Sequence, residues 1–148
     1  MCVHEAQKGE SHMKQAATLT TASLLTILFM TFHLTGDILF RMAPAGLVNL
    51  LAVFIFVVQL YGTLVLGGRR AGYIIIFLGS ALALVVPVVH MKGTRGVIGG
   101  DIGTSSQAFL FVWTILALGI TATFSVILSA SALLSLPWRR SRRTPTAA

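Results

Sequence analysis

The chain of 148 residues is 55% apolar and only 10% charged, with a mean hydropathy of +0.87. An ordinary globular domain carries about 25% charged residues, so too few charges remain to cover a soluble surface, and a disordered chain would need the opposite balance. Eleven Lys and Arg against four Asp and Glu give a net charge of +7; the cations lie between and beyond long apolar runs, where they orient membrane helices, and no basic face with interleaved aromatics offers a nucleic-acid surface.

Residues 1–15 are polar and patternless and are expected to form a disordered N-terminal tail, with Met13-Lys14 resembling a chain start. The only cysteine is Cys2, which excludes an intrachain disulfide and CxxC chemistry. The first apolar run is longer than the 7–15 residues of a signal-peptide core and has no small-x-small cleavage site, so it reads as a retained helix. A spanning helix needs roughly 20 apolar residues. Uncharged stretches meet that need four times, which predicts helices at about 16–40, 46–66, 71–90 and 108–135. Segments such as LLAVFIFVV and YIIIFLGSALALVV show no period-two alternation, which argues against barrel strands.

The connections predict the topology. Arg41 to Ala45 is a tight turn built on Pro44, and Gly67-Gly68-Arg69-Arg70 is another. Connections this short force antiparallel neighbours. The third connection, residues 91–107, is longer and rich in glycine; its GVIGGDIG string lacks the Gly-Lys-Ser/Thr of a phosphate loop. The expected fold is therefore all-α: an integral-membrane, antiparallel four-helix transmembrane bundle over residues 16–136, followed by a basic tail, 137–148. With the N-terminus inside, Lys8, Lys14, Arg69, Arg70, Arg139, Arg140, Arg142 and Arg143 lie on the cytoplasmic side against Arg41, Lys92 and Arg95 outside. This bias places both termini in the cytoplasm and the protein in the inner (cytoplasmic) membrane.

Small and polar residues suggest how the helices pack. Ala117, Thr121, Ser125 and Ser129 recur every four residues on the last helix, joined by Gly119 and Thr123, while Gly72 and Gly79 permit close approach on the third. Asn49 and Gln59 need partners on facing helices.

The chemistry concentrates at the outer end. His33, Asp37 and Arg41 are spaced four apart on one helical face, continued inward by Met30 and Thr26. The third helix ends Pro87-Val88-Val89-His90, and Asp101 follows in the long connection. Lys14 to His33 and Arg70 to His90 each cover close to 30 Å of helix, which sets the two histidines at similar height. Ionisable groups inside a span are costly and mark functional sites. Two imidazoles and two carboxylates, from His33, Asp37, His90 and Asp101, suit a transition metal (Zn, Fe or Cu). His33 and His90 alone suit a bis-histidine haem between the first and third helices. Arg41 and Asn49 complete a polar pocket, and Arg41 is also placed to neutralise Asp37 as an i,i+4 pair.

Three function classes follow. The first is an accessory subunit or ligand-binding membrane module with a polar His/Asp pocket near the extracytoplasmic face. The second is a metal- or haem-dependent membrane enzyme acting on a lipid, quinone or other apolar substrate. The third is ion or small-molecule transport as an oligomer. The expected partners are the lipid bilayer and either further copies of the chain or a larger membrane complex. The chain lacks the cysteine pairs of quinone-linked disulfide oxidoreductases and the histidine boxes of membrane desaturases.

Overall fold

The computed structural model describes residues 2–39, 46–91 and 106–136. They form four helices: α1 (Cys2–Leu39), α2 (Leu47–Leu64), α3 (Arg70–Met91) and α4 (Ser106–Ser135). Each helix lies antiparallel to the next. Paired contacts show this for the last three helices: Gly62 lies against Ile75 while Gln59, a turn earlier, lies against Gly79, and Phe111 meets His90 while Gly119 lies under the earlier Pro87. The result is an all-α up-down bundle.

Three segments are long and apolar enough to cross a membrane: Met13–Leu39, Arg70–His90 and Phe109–Ser135. The fourth helix, α2, is apolar but shorter, with 18 residues spanning about 27 Å. It ends earlier than the expected residue 66 because the chain turns there. The Leu66 N–H still reaches back to the Tyr61 carbonyl at 3.3 Å, Arg69 N–H then closes on the Leu66 carbonyl at 3.0 Å, and Gly68 takes φ +77°, a conformation glycine adopts without steric cost.

At the N-terminus α1 is already helical from Cys2, so residues 2–15 continue the first helix where a disordered tail was expected. Residues 2–14 contain no proline and a single glycine, and Glu10 pairs with Lys14 at 2.7 Å across one turn. That pair is exposed and adds little by itself; once the apolar part of α1 is formed, each further turn avoids the cost of nucleation.

The bundle is apolar outside and partly polar inside, as a lipid solvent requires. Leu50, Phe54, Leu78, Leu82, Ile120 and Phe124 are all more than half exposed, whereas Ser23, Thr26, Ser80, Ser125 and Ser129 are fully buried. On α4 the buried positions are 111, 114, 115, 117, 118, 122, 125 and 129, and on α1 they include 19, 22, 23, 26 and 33. Steps of three and four residues keep these positions on one face of each helix, turned to the core. Ala83, Leu118 and Ala122 form its apolar centre, with Phe29 and Met30 packed against them. Ala117, Ser125 and Ser129 of the small-residue stripe thus face the bundle's own interior, while Thr123 is exposed. By contrast the described residues of α2 bury Gln59, Gly62 and Thr63 alone, and the helix sits at the flank of a core made by α1, α3 and α4.

Hydroxyls and one amide tie the four helices together. The Thr63 hydroxyl donates to the Gln59 carbonyl at 2.8 Å, so in its 2.8 Å contact with Ser23 it is Ser23 that donates. The Thr26 hydroxyl donates to the Ala22 carbonyl, which makes Ser125 the donor across the 3.4 Å gap to Thr26. Gln59 Nε2 donates to Ser80 Oγ at 3.3 Å. Gly79 makes room for that amide: a Cβ there would stand 2.5 Å from Gln59 Oε1.

Candidate functional site

His33, Asp37 and His90 meet at one end of the bundle. His33 and Asp37 share a face of α1 because they are one turn apart; the imidazole Nε2 lies 3.4 Å from the carboxylate Oδ2. His90 arrives from the last turn of α3. Its ring centroid is 4.9 Å from that of His33, edge to face at 75°. One ligand atom from each of the three residues can be chosen so that all lie within 4.8 Å of one another.

Phe111, near the start of α4, completes the wall. Its ring centroid is 5.5 Å from both imidazoles, tilted at 39° to His33 and perpendicular to His90. Sequence reasoning did not select Phe111. An aromatic residue carries no ligand chemistry, and its only signal was its place near the start of α4, beside the ends of α1 and α3 that carry His33 and His90. Thr114, one turn on, is also buried and donates to the Phe111 carbonyl at 2.9 Å.

Burial makes this cluster chemically unusual. His33 is 4% exposed and the Asp37 side chain 14%. Among the described residues, the buried side-chain nitrogen and oxygen atoms without a hydrogen-bond partner are His33 Nδ1 and Asp37 Oδ1. A buried polar atom left unpaired costs roughly 1–3 kcal/mol, and more when it is charged. The two orphan atoms sit on adjoining side chains that already face each other.

Of the other residues expected at the site, Asp101 and Arg41 lie outside the described residues. Asn49 stands in the first turn of α2, where its backbone N–H donates to the Gly46 carbonyl at 3.0 Å. Asn49 is one of the residues that line a cleft between α1 and α2.

The geometry separates the two cofactor readings. A bis-histidine haem needs its imidazoles on opposite sides of a flat macrocycle. Here the rings contact each other edge to face and Phe111 packs on both, so no slot for a macrocycle lies between them and haem does not fit. A single ion makes a smaller demand. With metal–ligand distances of about 2.0–2.2 Å, tetrahedral ligand atoms stand roughly 3.3 Å apart, and a contraction from 4.8 Å is within side-chain rotation.

Comparisons with known protein families, with characterised proteins and with solved structures find no match.

Proposed function

We propose that the chain is a membrane-embedded ligand-binding module whose ligand is a divalent transition-metal ion held by His33, Asp37 and His90. One observation carries this reading: a buried imidazole nitrogen of His33 and a buried carboxylate oxygen of Asp37 have no partner among the described residues, and these two side chains and His90 can each offer a ligand atom within 4.8 Å of the others. An ion would compensate both, and its charge would offset a carboxylate placed in a spanning segment. Two imidazoles and one carboxylate suit Zn²⁺, or Fe²⁺ with open positions.

Three protein ligands leave at least one position for water or substrate. The catalytic form of the proposal follows from this: a metal-dependent enzyme acting on an apolar substrate that reaches the site through the bilayer. The excess of Lys and Arg near Lys14, Arg69 and Arg70 supports an orientation with both termini in the cytoplasm and the site at the extracytoplasmic side of the inner membrane.

The test is elemental analysis of detergent-purified protein made without a metal-binding tag. Near-stoichiometric zinc or iron is expected, lost in His33→Ala and in His90→Ala while the helical circular dichroism is kept. A protein that stays empty after incubation with Zn²⁺ and with Fe²⁺, or both variants retaining metal, would overturn the reading.

A further inference from the structure

A cleft of about 530 Å³ opens between α1 and α2. These helices touch through Ser23 and Thr63, then bracket an open space along Ile27–Ile38 of α1 and Gly46–Leu60 of α2. On α1 that is 12 residues, or about 16 Å from the first Cα to the last. The volume lies within the roughly 300–1,000 Å³ usual for ligand pockets.

The cleft has an internal order. Its deep end, at Ile27, Phe56 and Leu60, carries only hydrocarbon side chains. Its polar side chains, Thr31, Thr35 and Asn49, lie toward the end where α1 finishes and α2 starts. Both threonine hydroxyls donate to carbonyls one turn back, Thr31 to Ile27 and Thr35 to Thr31, each at 2.8 Å. Their oxygens therefore face the cleft as acceptors. Val53, Val57 and Leu50 on its α2 wall are about half exposed or more, so the space opens sideways to the bilayer. Water gains nothing at the apolar end, and no side chain of the described residues fills it.

We infer that this cleft is a binding site for one membrane phospholipid, with an acyl chain lying along α1 toward Ile27 and a headgroup that donates hydrogen bonds near Thr35. The argument for this occupant is the match of length, lateral access and graded polarity. The polar end lies at the helix ends, where headgroups are, so the lipid need not leave its leaflet. The site does not depend on the metal reading: it uses the other face of α1, and neither His33 nor Asp37 lines it.

The experiment is native mass spectrometry of full-length protein purified in mild detergent, with exogenous phosphatidylethanolamine and phosphatidylglycerol as probes. One retained phospholipid per chain is expected. Val53→Trp, which fills the cleft from α2, should weaken retention by about tenfold or more, and His33→Ala should leave it unchanged. A photoactivatable phosphatidylethanolamine with a diazirine in its acyl chain gives a test on the unmodified protein, with labelling expected on residues 27–38 and 46–60. Labelling spread evenly over the lipid-facing sides of α3 and α4 would show annular lipid only and overturn the inference. Equal retention by Val53→Trp, or a retained quinone in place of a phospholipid, would also overturn it.

Discussion

Two buried polar regions of this bundle differ in one respect. The belt of Ser23, Thr26, Gln59, Thr63, Ser80 and Ser125 has hydrogen-bond partners for its buried atoms and joins all four helices. The cluster of His33, Asp37 and His90 is as deeply placed at His33 but leaves two atoms without partners among the described residues. In lipid, satisfied polar groups hold helices together, because the alternative is an unpaired group in hydrocarbon. Unsatisfied ones cost stability and persist where something else completes them. The contrast is what separates the belt, read as cohesion, from the cluster, proposed above as the ligand site.

Substitutions can break this contrast, and the largest expected effect is on the cluster. Asp37→Asn keeps the shape but removes an anionic ligand, so metal affinity should fall by more than the roughly 10–100-fold that follows loss of an outer hydrogen-bond partner; titration of the metal-free protein with Zn²⁺ measures it. In that metal-free protein the double substitution His33→Leu/Asp37→Leu should leave thermal stability unchanged or raised, since it removes both unpaired atoms together with the contact between the two side chains. A marked loss of stability there would make the pair structural and erase the distinction.

Next comes the belt's packing. Gly79→Val drives a side chain into the Gln59 amide and should destabilise the bundle by about 1–3 kcal/mol, as overpacking does, with bound metal retained. Chemical unfolding in detergent, read by circular dichroism, tests it. The smallest effects belong to single hydrogen bonds. Gln59→Ala should cost at most about 1–2 kcal/mol, and Ser23→Ala about 0.6 kcal/mol, the range measured for such bonds between membrane helices. If Ser23→Ala abolished metal binding while stability stayed the same, the belt would belong to the site.

Much of this architecture was legible in the chain. The uncharged runs and their flanking arginines announced the helices, and the short connections announced their antiparallel order. Gly72 and Gly79 marked where α3 would come close to the end of α2 and to Gln59. Residues 2–15 were harder to read, because a polar stretch without periodicity looks alike as tail and as helix; the adjoining apolar helix supplies the nucleus that decides it. At the site, the pairing of His33 with Asp37 was readable because a four-residue spacing determines one face of one helix.

The sequence by itself determined the solvent of this protein, the number of its helices and which side chains could bind a ligand, because hydropathy, charge and local spacing are properties of each segment. Only the tertiary structure decided that His90 faces His33 across 57 positions of chain, that Phe111 closes on both, and that Ser23 finds Thr63 while α1 and α2 part above them. Those outcomes depend on the rotation of each helix about its axis and its shift along its neighbours, which are set by the sum of contacts along a whole seam and not by any segment alone.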